Sequence, residues 1–134
     1  MSIAVGLLII RLVVGLSYMG HGAQKLFGWF GGHGPKGTGA WMESMGMKPG
    51  VPMAVMAGLM ELVAGLLFAT GLFTVVGSIL IIATMLGAII KVHGANGYWA
   101  TANGYEYNVL LIAVAIGLAF IGAGDYSLDA ILLR

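Results

Sequence analysis

Between positions 51 and 90 the chain runs for 40 residues with one charged side chain, Glu61. As a single α-helix that run would be about 60 Å long, twice the roughly 30 Å of hydrocarbon in a bilayer. It must therefore turn back on itself. The turn is predicted at residues 69–73, where Gly71 suits a helix end. Two spans follow from this one stretch, 51–70 and 72–92, with a very short loop between antiparallel neighbours.

Composition puts the rest of the chain in the same solvent. The 134 residues are 60% hydrophobic and 8% charged, with mean hydropathy +1.00. A soluble domain carries about 25% charged residues. Such a chain cannot cover a surface with polar groups, and it reads as an integral membrane protein of one domain, 1–134. A further span is predicted over 3–25 and another over 106–121. The expected fold is an all-α, four-transmembrane-helix bundle. The opening run lacks a basic segment before its apolar core and has Arg11 inside it, so it is expected to be a retained span and not a cleaved signal.

Other features narrow the chemistry. The net charge is +1 and there is no basic run, which gives no reason to expect a nucleic-acid partner. There is no cysteine, which excludes disulfides, thiol redox chemistry and thiolate-held metal or iron–sulfur clusters. Residues 28–50 are rich in glycine, with Trp29 and Trp41, and form a polar-side loop. Within it, 38–46 is predicted as a short interfacial helix, with methionines 42, 45 and 47 at headgroup level. Residues 94–105 are a second loop of glycine, asparagine and aromatic residues. Four spans put both termini on one side and both loops on the other. Lys25, Lys36, Lys48 and Lys91 lie on the loop side, so the positive-inside rule predicts cytoplasmic loops and outside termini.

Polar residues at membrane depth are costly and point to function by default. On span one, Arg11, Gly15, Tyr18, Gly22 and Lys25 fall within a stripe about 80° wide at 100° per residue, with His21 at its edge. Counted along their helices, Arg11 and Glu61 reach similar depths, so a buried Arg11–Glu61 ion pair is expected. It reads first as a structural pair that fixes helix neighbours, and second as part of a polar ligand site or proton path. A second group gathers at the loop side: His21, Gln24 and Lys25, then Lys91 and His93, then Tyr105 and Glu106 with Tyr107 and Asn108. Snorkelling to headgroups explains each one singly. Together they form a candidate pocket for a quinone or another ring. Haem held by His21 and His93 is disfavoured, because their spacing is unspecific and neither lies well inside the membrane. His33, Asp125 and Asp129 read as solvated, and methionines 53, 56, 60 and 85 as lipid-facing or packing residues.

These residues also carry a resemblance. Arg11, the run Gly20-His21-Gly22-Ala23-Gln24-Lys25-Leu26-Phe27-Gly28, Glu61 with Gly65, Gly71 to Thr74, His93, Gly104 to Asn108, and Tyr126 to Asp129 together resemble the DoxX family of small bacterial membrane proteins. Gly122-Ala123-Gly124-Asp125 departs from the family's frequent Gly-Pro-Gly-Arg. The resemblance implies a four-helix bundle in the bacterial inner membrane. It also implies association with thiosulfate:quinone oxidoreductase, with resistance to quinones and catechols, and with membrane complexes handling oxidative stress. The expected function is then a redox-associated membrane protein that binds quinone and works with partner subunits. The alternatives are a scaffold recruiting soluble redox enzymes through 28–50, or small-molecule transport along the polar stripe, which would call for a homo-oligomer.

Overall fold

The computed structural model describes residues 2–133, and among them there are helices and no strands. Helix α1 (Ile3–Leu26) is opened by Ser2, whose hydroxyl accepts from the Val5 amide. A glycine-rich connection leads to α2 (Gly34–Ser44). The long apolar run becomes α3 (Gly50–Thr70) and α4 (Thr74–Ala88). A π turn at Ile89–His93 and a 3-10 turn at Gly94–Asn96 extend α4. A loop with another 3-10 turn leads to α5 (Glu106–Ile121), and the tail forms α6 (Leu128–Leu132). Among the described residues, three helical stretches are long and apolar enough to cross a membrane: Ile3–Leu26, Gly50–Thr70 and Thr74–Asn96. Helix α5 is equally apolar but has 16 residues.

The predicted reversal at Gly71 occurs there. Gly71 takes the left-handed conformation, φ 68°, and the Leu72 amide reaches back to the Leu67 carbonyl at 3.1 Å. That is the glycine-stopped helix end in which the turn satisfies carbonyls the helix leaves open.

Helices α1 and α3 make the closest seam, and glycine sets its register. A Cβ on Gly15 would lie 2.7 Å from the Gly65 carbonyl oxygen, and one on Gly22 would lie 2.7 Å from that of Gly58. No side chain fits, so the two backbones touch, as small residues allow between membrane helices. The main core joins α1, α3, α4 and α5 through Leu7, Tyr18, Phe68, Ile81, Leu111 and Leu118. Outward faces carry Ile9, Val13, Leu16, Ile79, Leu110 and Phe120, all exposed. Such faces suit lipid, whose tails are as apolar as leucine.

The loop helix starts earlier than its sequence suggested, at Gly34 and not near Thr38. Pro35 at the first turn is well placed to begin a helix. Packing then holds a glycine-rich segment that propensity disfavours: a Cβ on Gly39 would lie 2.7 Å from the Val51 amide nitrogen. Helix α2 therefore lies against the first turns of α3.

Candidate functional site

The Arg11–Glu61 pair does not form. Arg11 donates instead to three carbonyl oxygens: Ala123 at 2.6 Å, Tyr126 at 2.9 Å and Ala69 at 3.2 Å. Glu61 pairs with Lys25, Nζ to Oε2 at 2.9 Å. The glycine register is the physical reason. With Gly15 against Gly65 and Gly22 against Gly58, Arg11 falls opposite the last turn of α3, while Glu61 falls near the C-terminal half of α1. Counting residues from the span ends missed this by two turns of helix.

Arg11 thus serves the ends of helices. Ala69 carries one of the carbonyls α3 cannot bond internally, and Ala123 follows the end of α5. A cation there also meets the negative ends of both helix dipoles. Asp129 does the reverse for α4. Its carboxylate accepts from the Phe73 amide at 2.7 Å, the Thr74 amide at 3.1 Å and the Thr74 hydroxyl at 2.8 Å. Sequence had read Asp129 as a solvated tail residue, but it caps α4. Burial alone would push its carboxyl up; the Thr74 and Phe73 bonds and nearby Arg11 outweigh that and hold it below the usual range.

At the opposite end of the bundle lies a cavity of about 450 Å³. Its polar lining comes from α1 (Tyr18, His21, Lys25), from α3 (Glu61) and from the π turn (Lys91, His93). The first turn of α5 adds Tyr107 and Asn108, and Trp41 on α2 covers one side. Six of the nine methionines complete the wall: 42, 47, 53, 56, 60 and 85. Met53, Met56 and Met60 share one stripe of α3 with Glu61. Met85 is a buried wall residue whose sulfur accepts from Asn108 Nδ2 at 3.4 Å. The π turn, wider than an α turn and often found where a helix meets a functional site, brings Lys91, Val92 and His93 all to the cavity.

Hydrogen bonds fix the two histidines. Gln24 Nε2 donates to the Phe30 carbonyl at 3.1 Å, which turns Gln24 Oε1 toward His21 Nδ1 at 3.1 Å. His93 Nδ1 lies 2.9 Å from the Asn103 carbonyl oxygen. Both acceptors take a proton and give none, so each neutral ring carries its hydrogen on Nδ1. Each Nε2 is left with a lone pair. Deeper in, the Tyr18 hydroxyl bonds the Thr84 hydroxyl, and Thr84 also donates to the Leu80 and Ile81 carbonyls.

Of the expected loop-side group, the cavity gathers His21, Lys25, Lys91, His93, Tyr107 and Asn108. Gln24 acts one step back, on His21, and with His33 lines a shallower depression under α2. Tyr105 and Glu106 hold the 94–105 loop: the Tyr105 ring meets Tyr98 edge-on at 5.6 Å, and Glu106 accepts from the Ala100 amide at 3.1 Å. The methionine wall was not anticipated as part of a site, while Tyr18, expected on the polar stripe of span one, joins the cavity. The signal was available in Met53, Met56 and Met60, which repeat at helical spacing on the face of Glu61.

The profile of the family described as DoxX matches residues 6–94. Over 133 residues the chain is 30% identical to a Bacillus subtilis protein named "Putative oxidoreductase CatD", covering 99% of this chain and 91% of that one. It is 30% identical over 130 residues to an uncharacterised membrane protein of Mycobacterium tuberculosis, covering 90% and 77%. It is 29% identical over 127 residues to an uncharacterised Haemophilus influenzae protein, covering 90% and 85%. No solved structure matches the chain.

Proposed function

The chain belongs to the DoxX family, and we propose that it is a membrane-embedded redox-associated protein that binds a quinone, or a quinone-like aromatic, in the methionine-lined cavity. Membership and the oxidoreductase name of the Bacillus subtilis relative support the redox association. One observation carries the ligand class: a single cavity joins an adaptable thioether and aromatic wall to a cluster of polar groups. Methionine adapts to flat rings and makes favourable sulfur–aromatic contacts. A ring would lie against Met56, Met60 and Met85. Its oxygens would meet His21, Lys91, His93 and the Lys25–Glu61 pair. No side chain here carries electrons readily, so the ring and a partner subunit supply that chemistry.

In this reading α1, α3, α4 with its extension, and α5 are four spans, and α2 rests in the interface over the cavity. The short α5 is accommodated by tilt or local thinning of the bilayer. The membrane is the bacterial inner membrane, with the 28–50 and 94–105 loops in the cytoplasm because Lys25, Lys36, Lys48 and Lys91 lie on the loop side. A scaffold role is the second reading. It is favoured by the exposed ring cluster after α1, where Phe27 and Trp29 centroids lie 4.8 Å apart and Trp29 and Phe30 6.3 Å. Transport gains no support, because the Arg11 network ties the opposite ends of the helices together.

Gly87 tests the cavity. It lines the space, and a Cβ there would meet nothing within 4 Å. Gly87→Leu should fold as well as the parent, since glycine is a poor helix residue. It should weaken binding of a short-chain quinone to the purified protein by at least about tenfold. Unchanged affinity in a folded Gly87→Leu protein would place the ring elsewhere.

A further inference from the structure

The cavity wall holds a second arrangement that a ring does not require. Met42 and Met47 are buried and packed in one cluster with Ala54, and Met45 and Met53 close around them at the junction of α2 and α3. Met42, Met47 and Met53 also face the cavity, as does His21, whose Nε2 keeps its lone pair. Leucine would fill the same space at little cost. Instead the chain, which has no cysteine, concentrates its thioethers at one place. Among the described residues no three His, Asp or Glu side chains form a hard metal site. What the junction offers is soft and neutral thioether sulfur, and α1 adds the His21 imidazole nitrogen to the same cavity wall.

We propose that the α2–α3 methionine junction, Met42, Met47 and Met53 with His21, binds monovalent copper. Thioether ligands select Cu(I), while carboxylate, carbonyl and water suit magnesium, calcium and manganese. A monocation with neutral ligands leaves little charge to bury, which suits a site at the edge of an apolar bundle. Lys25 does not oppose it, because Glu61 neutralises that charge at 2.9 Å. The site's sulfurs come from α2, the turn after it and α3, whereas Met85 and Asn108 belong to α4 and α5. The site shares His21 with the quinone reading, but its three sulfur ligands are not the methionines against which the ring would lie, so copper binding is read without quinone.

The test uses the whole, untagged protein in mild detergent, under ascorbate and without oxygen. Cu(I) is presented as its coloured complex with bicinchoninate. The protein should withdraw one equivalent and bleach the colour in proportion, and Zn(II) at the same concentration should not compete. Met42→Leu, Met47→Leu and Met53→Leu combined should weaken Cu(I) binding by more than the ten- to hundredfold that even outer-shell changes cost. Met19→Leu, outside the cavity, should leave it unchanged. Silver(I) should shift the methyl NMR signals of those three methionines and not that of Met19. The proposal is overturned if the parent leaves the bicinchoninate colour intact. It is also overturned if the triple leucine variant, still helical and monodisperse, withdraws copper as strongly as the parent. Gly87→Leu, which fills the ring's space from α4, should lose quinone and keep copper, and this separates failure of this site from failure of the ring site.

Discussion

Arg11 and Lys25 are both cations on one stripe of one helix, yet they end in different kinds of surroundings. Arg11 is 1% exposed, and both its terminal nitrogens donate to backbone, to the Ala69, Ala123 and Tyr126 carbonyls. Its partners are backbone atoms at helix ends, which cannot move without unwinding something. Lys25 meets one carboxylate, Glu61, and both line an open cavity beside two imidazoles with spare lone pairs. The contrast teaches how to weigh polar groups inside an apolar protein. Groups bound to backbone at helix ends hold the fold. Groups bound to other side chains beside empty space retain capacity for a ligand.

The sharpest way to break that contrast is to remove Arg11. Arg11→Met keeps length and apolar volume but leaves three carbonyls without their donor. Hydrogen bonds to charged groups contribute about 1.5–3 kcal/mol each, so the loss should exceed about 3 kcal/mol. Arg11→Lys should recover little, because an ammonium cannot reproduce the planar fork. The readout is thermal aggregation in detergent, and quinone affinity in the surviving folded fraction should be unchanged. Normal stability of Arg11→Met would mean the termini end is not the anchor.

Lys25 and Glu61 should behave in the opposite way. Lys25→Leu strands a carboxylate and should cost about 2 kcal/mol. Glu61→Leu leaves a lysine that can snorkel to the interface, and should cost about 1 kcal/mol. The double change should be less harmful than the two singles predict, which a double-mutant cycle measures. All three should alter quinone affinity. A ligand affinity indifferent to this pair would make it as structural as Arg11.

Much of this was legible in sequence. The apolar run and Gly71 give the hairpin of α3 and α4, and the loop-side grouping gives six cavity residues, His21, Lys25, Lys91, His93, Tyr107 and Asn108. The wrong partner for Arg11 came from measuring depth alone. Glycines spaced by seven, Gly15 with Gly22 and Gly58 with Gly65, already held the answer. Matched antiparallel, they set Arg11 against Ala69, whose carbonyl it bonds. Helix α2 was harder to place, since its glycines hide a helix that packing creates. The cap by Asp129 was not readable, because 55 residues separate it from Thr74 and only the returning tail joins them.

That cap gives the smallest effect and the finest test of the contrast. Asp129→Asn keeps one acceptor oxygen at the α4 N-terminus and loses the charge, a change on the order of 1 kcal/mol. The pH dependence follows from the direction of the shift. The folded carboxyl titrates below its unfolded value of about 3.9. Its contribution is therefore complete above that value and disappears as pH falls through the folded one. Thermal stability of the parent should drop on the acid side by more than that of Asp129→Asn, and the two curves should run parallel from pH 6 to 8 (about two units or more above the unfolded value). Parallel curves at every pH would mean the cap works through hydrogen bonding alone, without its charge. Quinone affinity should not register the change, because Asp129 belongs with Arg11 at the closed end, where polar groups are bound to the fold.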